Sequence, residues 1–392
     1  MPVGGPPVRG RTWLLLGILG LAVFLRFWHL DRLSLWYDEV VPMRLAREPD
    51  PSALMRLLNE IEATRAPLHP LALQVWLRLF GTSDLAGRSL SAVCGMLTVL
   101  VVYLIARDLY DDPTALWSAG LASASPLLVR YSQEAKMYSW LVFVTCLSWA
   151  LLLSLRRSAP PLKVVLYALC LVALAYSHPL SVFMFAAQAA AYWVNRGSYR
   201  LPPGPWILIQ AAVALAVVPW VRHYVDHAPE IVAGPPTLRL LLGLPIGFIG
   251  GNSLTLPVFT ALAVWGLLAV GSNRTAAQPE SAATTSSRVR IGLDHPLAAT
   301  TLLSWFALPP LLLFGYSLIG YPLFGQARYT LYVGPAFVIM LARGLVKLPV
   351  LVRWPLGLVF VVLAVGLLKT TVYAPNLKAD WRGAASLLEI AR

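Results

Sequence analysis

Two adjacent carboxylates, Asp38 and Glu39, follow Trp36 and Tyr37 directly after the first long apolar stretch of the chain. Neighbouring side chains point in different directions on a helix and on a strand, so we expect one carboxylate to react and the other to orient it. A carboxylate within hydrogen-bond reach can act as a general base toward a hydroxyl. The alternative is a membrane-surface anchor with solvated acids, because Trp and Tyr favour that boundary.

A second group of charges lies in the segment 130–139, between two apolar stretches. Arg130, Glu134 and Tyr138 recur at intervals of four residues, so a helix would place them on one face and Lys136 on another. Cations beside an acid at a bilayer surface suit the phosphate of a lipid. The alternative is a turn whose charges neutralise one another and whose long side chains reach the interface.

Arg328 and Tyr329 form a third candidate, at the mouth of a later apolar stretch. An arginine there can bind a phosphate through two parallel hydrogen bonds, although an arginine at a helix end is more often an interface anchor. His69 and His178 each precede a proline at a boundary of the same kind. A single boundary histidine is more often a hydrogen-bonded packing residue than a ligand.

The composition around these candidates is that of a membrane protein. Of the 392 residues, 58% are hydrophobic and 12% are charged, with a mean hydropathy of +0.68. Soluble proteins carry about 25% charged residues, so the composition excludes an ordinary soluble enzyme, a disordered chain and a nucleic-acid-binding protein. Segments long enough to cross a bilayer predict an all-α polytopic membrane protein with about 11 transmembrane helices, in a range of about 10–13. The predicted spans are 13–30, 88–107, 114–130, 137–155, 162–177, 179–195, 205–222, 254–271, 297–320, 328–345 and 350–369.

Two apolar stretches do not fit a full crossing. Residues 67–81 are interrupted by Gln74 and Arg78, which favours a helix that lies at the interface. Residues 237–250 contain three Gly and one Pro, which favours a re-entrant or surface segment. Residues 272–296, rich in Ser, Thr and Ala, predict a flexible cytoplasmic linker. No cysteine or histidine spacing in the sequence is typical of a metal site.

The charged residues divide unequally between the two sides of such a bundle. With the N-terminus in the cytoplasm, the inner segments hold 14 basic and 5 acidic residues, whereas the outer segments hold 17 basic and 13 acidic residues. The net charge of +13 therefore divides into +9 inside and +4 outside. Cytoplasmic loops carry an excess of Lys and Arg, so we predict a multi-pass protein of the cell membrane with a cytoplasmic N-terminus and an outer C-terminus. The middles of the spans hold almost no ionisable residue, which disfavours an ion-coupled transporter.

Together these segments resemble the GT-C superfamily of membrane glycosyltransferases, and within it the protein O-mannosyltransferase and aminoarabinose-transferase-like branch. The resemblance covers nearly the whole chain, and its most specific parts are the acidic pair and the Gln-Glu-Ala-Lys-Met-Tyr turn at 133–138. The segments that carry it are Trp36–Glu39, His69–Leu71 at the start of a helix that ends in Leu77–Gly81, Arg88–Ser91, Tyr131–Tyr138, Arg328–Tyr329 and Lys378–Ala385.

The resemblance implies transfer of a sugar from a polyprenyl-phosphate-linked donor to an acceptor hydroxyl on the outer face, with inversion at the anomeric carbon. It implies that Asp38 is the general base, that Glu39 is its companion and that Glu134 is the acid of the second outer loop. A monophosphate donor of this kind requires no divalent metal and no other cofactor. The acceptor, whether protein, lipid or glycan, is left open.

The same resemblance places Lys136 and Arg328 near the donor phosphate, with Lys at position 136 where Arg is usual. Arg88 is a further candidate for the donor phosphate. The candidates for other contacts with the substrates are Tyr37, His69, Tyr138, His178 and Tyr329.

The implied organisation is a GT-C-like transmembrane domain over residues 1–371, with an outer catalytic loop at 31–87 that contains juxtamembrane helices. Residues 372–392 are expected to form a short outer tail. In similar proteins an Asp-Trp-Arg-Gly-Ala-Ala segment leads into an outer soluble domain, which we expect to be absent or truncated here. The rival interpretations are a transporter or flippase of lipid-linked sugars and a non-catalytic assembly partner.

Overall fold

The computed structural model describes residues 8–227, 236–249, 255–272, 289–319, 323–324, 327–374, 378 and 380–381. These residues form seventeen α-helices, three short 3₁₀ helices and one two-stranded sheet. The α-helices are α1 (Val8–Phe27), α2 (Tyr37–Ala46), α3 (Pro51–Glu62), α4 (Leu68–Phe80), α5 (Asp84–Leu109), α6 (Asp112–Ala124), α7 (Pro126–Ser132), α8 (Met137–Ser154), α9 (Pro161–Ala175), α10 (Val182–Val194), α11 (Pro203–Asp226), α12 (Leu238–Leu242), α13 (Leu244–Ile249), α14 (Leu256–Leu267), α15 (Pro296–Ile319), α16 (Gly334–Lys347) and α17 (Val350–Thr371). The strands are β1 (Leu268–Ser272) and β2 (Val289–Leu293), and the 3₁₀ helices are Pro179–Ser181, Arg196–Ser198 and Ala327–Val333.

Seven of the described helices are long and apolar enough to cross a membrane, namely α1, α5, α8, α11, α15, α17, and α16 together with most of the 3₁₀ helix before it. Each of the other four predicted spans overlaps a shorter apolar helix, α6, α9, α10 or α14. The prediction of a helical, multi-pass membrane protein is therefore confirmed, whereas the count of 11 spans stays a prediction.

The span predicted over 114–130 is broken in the structure. Proline has no amide hydrogen and disfavours a helical residue before it, so α6 ends before Pro126 and α7 begins there. The break leaves the carbonyls of Ala122 and Ser123 available, and the fully buried guanidinium of Arg26 donates to them at 3.3 and 3.1 Å. The break thus provides hydrogen-bond acceptors for a cation that the apolar surroundings would otherwise leave unpaired.

The first outer loop forms the juxtamembrane helices α2, α3 and α4 that the sequence predicts. The carboxylate of Asp50 accepts a hydrogen bond from the amide of Ala53 at 2.8 Å and so caps the N-terminus of α3. Leu54 and Leu58, four residues apart on α3, are buried on one face of the helix. The residues predicted as an interfacial helix over 67–81 form α4.

The structure differs from the sequence prediction on both sides of the predicted linker. The helix predicted over 254–271 ends at Leu267, and β1 and β2 then pair antiparallel. The linker predicted over 272–296 therefore includes a strand, because the paired segments carry β-branched Val and Ile. Its central residues, 273–288, lie outside the described residues.

Close packing of α14 against α16 holds one wall of the bundle. A Cβ atom on Gly266 would lie 2.2 Å from the carbonyl oxygen of Met340, and one on Gly344 would lie 1.9 Å from that of Leu262. Only glycine permits the two backbones to approach this closely. The contact anchors α16, and Arg328 lies in the 3₁₀ helix that leads into it.

Ion pairs connect the loops at each end of the bundle. Seven of them link only residues that the charge distribution assigns to the inner side: Arg11–Asp112, Arg107–Asp112, Arg156–Asp108, Arg157–Asp108, Arg343–Asp111, Arg343–Asp294 and Lys347–Asp294. Six others link only outer residues: Arg65–Glu62, Arg88–Glu39, Arg130–Glu134, Lys136–Asp38, Arg328–Asp38 and Lys378–Glu39. Within the described residues no pair joins the two sets, in agreement with the predicted grouping of the loops.

Candidate functional site

The two acidic residues of the first outer loop lie in different environments. α2 begins at Tyr37, so Asp38 and Glu39 are separated by about 100° around the helix axis. The side chain of Asp38 is 21% exposed, whereas that of Glu39 is fully buried. The expectation that the two carboxylates point in different directions is therefore confirmed.

Glu39 is surrounded by hydrogen-bond donors. Its Oε1 atom accepts from Arg88 at 2.8 Å and from the amide of Ala135 at 3.0 Å, and its Oε2 atom accepts from Lys378 at 2.6 Å. Burial opposes ionisation of Glu39, but the hydrogen bonds and charges of Arg88 and Lys378 prevail and lower its pKa. Glu39 is thus a charged structural anchor that joins α2, α5, the 133–136 turn and the C-terminal segment.

Arg88 is bonded by groups of the protein itself, and its predicted contact with the donor phosphate stays a prediction. Its guanidinium is buried, bonds both oxygens of Glu39, and also donates to the carbonyls of Leu30, Leu33 and Ser34 at 2.8–3.1 Å. All of its donor groups are therefore engaged, and Arg88 fastens the connection between α1 and α2.

Asp38 lies between two cations that come from distant parts of the chain. Its Oδ2 atom is 2.7 Å from Nη1 of Arg328, and its Oδ1 atom is 3.4 Å from Nζ of Lys136. The Arg328 guanidinium also lies 5.8 and 5.4 Å from the ring centres of Tyr138 and Tyr329. The structure therefore brings together five predicted residues, of which Asp38 and Arg328 pair across 290 positions of the chain.

These residues line a cavity of about 270 Å³ beside α2 and α3. Its charged lining consists of Asp38 and Glu62 together with Arg65, Lys136 and Arg328. Three cations against two carboxylates leave a net charge of +1, which favours a ligand with a single negative charge.

Arg65 is a member of the site that the sequence analysis missed. Its side chain is 8% exposed and pairs with Glu62, but its Nη1 atom is buried and has no hydrogen-bond partner among the described residues. An unsatisfied guanidinium nitrogen beside a cavity is ready to bind an anionic ligand. The sequence signal for Arg65 was weak, because it consists only of a basic residue shortly before Pro67, which precedes α4.

Lys136 is affected by the burial of the site. Desolvation, together with the positive charge of Arg65, lowers the pKa of Lys136 to about 8, although Asp38 and Glu62 oppose the shift. The ammonium group therefore titrates close to neutral pH, which a guanidinium at this position would not do.

His178 lies in the cavity wall as a neutral imidazole. Burial and the nearby cations lower its pKa to about 4. Its Nδ1 atom accepts a hydrogen bond from the amide of Leu180 at 3.1 Å, so the proton of the neutral ring belongs on Nε2. His178 thereby holds the turn before α10 and carries a second nitrogen that can donate to a ligand.

Besides Glu39 and Arg88, three further predicted residues lie outside this cavity. Tyr37 is 74% exposed and does not line it. His69 is buried in α4 against Trp140, and desolvation lowers its pKa to about 3, so its imidazole is neutral. Glu134 lines a different cavity, on the opposite side of the 133–136 turn.

A larger apolar cavity continues from the charged one. It has a volume of about 620 Å³ and lies between α10, α11 and α15, with lining residues such as Phe183, Val213 and Val217. Pro179, Leu180, Tyr224 and Leu323 line both cavities. A charged cavity and an apolar cavity thus share a wall, an arrangement that suits a ligand with a phosphate head and a hydrocarbon tail.

Within the described residues, no group of three or more His, Cys, Asp or Glu side chains is arranged to hold a metal ion. The polar groups of the cavity are dominated by cations, which suit an anion rather than a metal.

Comparisons with known proteins agree with this arrangement. The family model for dolichyl-phosphate-mannose-protein mannosyltransferases matches residues 64–223, which is less than half of the chain. A search of curated proteins finds no match.

Among solved structures, ArnT from Cupriavidus metallidurans bound to undecaprenyl phosphate aligns with a TM-score of 0.57 and 16% identity, covering 90% of this chain and 63% of ArnT. The apo structure of the same protein aligns with a TM-score of 0.55 and 17% identity, covering 90% and 62%. The chain thus spans less than two thirds of the length of ArnT. The GT-C fold implied by the sequence motifs is confirmed.

Proposed function

We propose that this protein is a membrane glycosyltransferase that moves a sugar from a polyprenyl-phosphate-linked donor to an acceptor hydroxyl on the outer face of the membrane. The observation that carries the proposal is the position of Asp38, which pairs with Arg328 and Lys136 in a cavity that continues into an apolar channel. The partial match to the mannosyltransferase family and the fold shared with ArnT support the same reaction class.

The two connected cavities fit the two ends of such a donor. The phosphate would bind Arg328, Lys136 and the unpartnered Nη1 of Arg65, and the first isoprene units would occupy the apolar cavity. A sugar phosphodiester carries one negative charge, which matches the net charge of +1 in the cavity. Binding then buries no uncompensated charge.

The proposed reaction is a single displacement. Asp38 accepts the proton of the acceptor hydroxyl, the oxygen attacks the anomeric carbon from the face opposite the phosphate, and the bond between that carbon and the phosphate oxygen breaks. The configuration at the anomeric carbon inverts, and polyprenyl phosphate leaves with the electron pair. Protonation of Asp38 raises the cavity charge to +2, which balances a leaving phosphate monoester with a charge approaching about −2.

The ion pairs of Asp38 suggest how the donor prepares the base. In the ligand-free site, Arg328 and Lys136 share the carboxylate of Asp38. A donor phosphate competes for the same two cations, and its binding therefore releases an oxygen of Asp38 for the acceptor hydroxyl. This order of events couples the base to the presence of the donor.

The proposed orientation has the N-terminus in the cytoplasm and the site outside, in the cell membrane. It is supported by the excess of basic residues in the loops that the inner ion pairs connect. The outer position of the C-terminal tail, residues 372–392, is part of the same proposal.

The test is sugar transfer by the purified full chain in lipid, with a panel of radiolabelled polyprenyl-phosphate sugars as donors. Lipids, peptides and glycans are supplied as acceptors. We expect Asp38→Asn to lower transfer by about 10²–10⁴-fold while the protein stays folded. The matched control is Asp50→Asn, because asparagine also caps a helix and Asp50 lies outside the cavity.

Equal transfer by Asp38→Asn and the wild type would refute the proposed base. Movement of labelled lipid across the bilayer without any new glycosidic product would instead favour a flippase. Tight donor binding with no turnover by the wild type would favour the non-catalytic assembly partner.

A further inference from the structure

A second charged cavity lies on the other side of the 133–136 turn from Asp38. It has a volume of about 220 Å³ and is formed by the outer end of α1, the segment after α17 and the loop before α8. Both α1 and α17 are mostly exposed along their apolar lengths, with only 11% and 17% of their spanning windows buried. The cavity therefore opens at the membrane surface between two lipid-facing helices.

The cavity is rich in cations, and the guanidinium of Arg130 has unused hydrogen-bonding capacity. Arg32, Arg88, Arg130 and Lys378 line it, with Glu134 as the acid. Even when Glu134 and the underlying Glu39 are both ionised, two positive charges remain. The nearest approach of the Arg130 guanidinium to Glu134 is 3.8 Å, too long for a hydrogen bond, and this guanidinium donates no hydrogen bond to the other described residues.

Two further features mark the cavity as a binding site rather than a solvated surface. The indole Nε1 of Trp36, which lines the cavity, is buried and has no hydrogen-bond partner in the described part of the chain. His29, also in the lining, has a φ of 56°, a left-handed conformation that non-glycine residues seldom adopt. Strained residues of this kind cluster at ligand sites.

The walls of the cavity are fastened together without any ligand. Gln133 donates to the carbonyls of Leu25 and Trp28 at 3.0 Å, and the Tyr373 hydroxyl donates to the Leu25 carbonyl at 2.5 Å. Arg32 donates to the carbonyl of Tyr373 at 3.3 Å. The ends of α1 and α17 are thereby held in place, so a ligand would meet a preformed site.

We infer that this second cavity binds the phosphate of an anionic membrane phospholipid, with Arg32, Arg130 and Lys378 as its cationic ligands. The phosphate replaces the missing partners of Arg130 and accepts a hydrogen bond from Trp36, while the acyl chains lie along the exposed faces of α1 and α17. A lipid is favoured over a soluble anion because both helices that border the cavity present apolar side chains to the bilayer.

Glu134 is compatible with this ligand. Burial, reinforced by the negative charges of Glu39 and Asp38 against Lys378 and Arg130, raises the pKa of Glu134. The neutral acid can donate a hydrogen bond to a phosphate oxygen instead of repelling it. Glu134 would then serve lipid binding rather than the sugar-transfer step.

The test is native mass spectrometry of the full chain released from detergent micelles after incubation with equal amounts of phosphatidylglycerol and phosphatidylcholine. We expect retained phosphatidylglycerol to exceed phosphatidylcholine, and Arg32→Gln combined with Arg130→Gln to lower its retention by about tenfold or more. Both side chains are exposed or half-exposed, so their loss leaves the fold intact. The matched control, Arg56→Gln, removes an exposed arginine of the same outer loop that does not line the cavity and should leave retention unchanged.

Equal retention of the two lipids, or full retention by the double variant, would overturn the inference. Displacement of the lipid by millimolar inorganic phosphate, which then binds by itself, would assign the site to a free anion and overturn the lipid as its ligand. Asp38→Asn should retain phosphatidylglycerol as the wild type does, so lipid binding is measured independently of sugar transfer.

Discussion

Asp38 and Glu39 are neighbours in the chain, but their side chains lie in different surroundings. Glu39 has no exposure and is bonded by Arg88, Lys378 and a backbone amide. Asp38 forms two ion pairs, and part of its surface faces a cavity. Both of its partners are themselves candidates for binding a ligand. A buried carboxylate whose oxygens all accept hydrogen bonds stabilises the fold, whereas a carboxylate at an open cavity can exchange partners during a reaction.

Each of the two carboxylates lies near a different cavity. The cavity at Asp38 joins an apolar channel inside the bundle, and the cavity above Glu39 opens between α1 and α17. Because the 133–136 turn separates them, Lys136 belongs to the first and Glu134 to the second. Residues two positions apart thus serve different sites.

The largest effect that we expect is on the stability of the protein and concerns Glu39. Glu39→Gln removes the negative partner of the buried Arg88 and of the partly buried Lys378, so we expect the free energy of unfolding to fall by about 3–5 kcal/mol. Reversible unfolding in mixed detergent and sodium dodecyl sulfate measures it, with exposed Glu60→Gln as the control. A stable Glu39→Gln protein that fails to transfer sugar would give Glu39 a direct part in the reaction.

The next effect concerns the donor. Arg328→Gln removes a charge-assisted bond from the proposed phosphate site, so we expect the KM for the donor to rise by about 10–100-fold. Stability should change by less than about 1 kcal/mol, because the pair with Asp38 is partly exposed. Steady-state kinetics with varied donor checks the prediction, and a loss in kcat with unchanged KM would contradict it.

The smallest effect that we expect is on the pH dependence of donor affinity, and it tests the role of Lys136. Its folded-state pKa is lowered to about 8, so its positive charge is present below that pH and is lost as the pH rises through it. We expect donor affinity to weaken above pH 8 in the wild type and to stay level in Lys136→Arg, because a guanidinium keeps its charge. Parallel pH profiles of the two proteins would contradict this assignment.

Several features of the fold could be predicted because they depend on local composition. Long apolar segments predicted the membrane class, and the interruptions at Gln74 and Arg78 predicted the surface helix α4. The break at Pro126 was also encoded locally, but the hydrophobicity of 114–130 concealed it. Hydropathy averages over a window and therefore does not register the loss of one amide.

The candidate site was only partly predictable. Lys136, Tyr138 and Arg328 were identified from their types and their resemblance to a family, and they do lie beside Asp38. Arg65 was missed, and the pairing of Arg88 with Glu39 was not predicted, because an arginine at a membrane boundary has the same local signature whether it binds a phosphate, a carboxylate or backbone carbonyls.

The amino-acid sequence alone is sufficient to show that this chain enters a membrane and that Asp38 and Glu39 cannot point the same way. It also predicts that the scarce acidic residues gather on one side of the membrane. Only the tertiary structure decided which of the two carboxylates faces a cavity, since that depends on Arg88, Arg328 and Lys378, which arrive from helices and loops far along the chain. The physical reason is that the role of a charged group is set by its burial and its partners, and both of these are properties of distant segments brought together by folding.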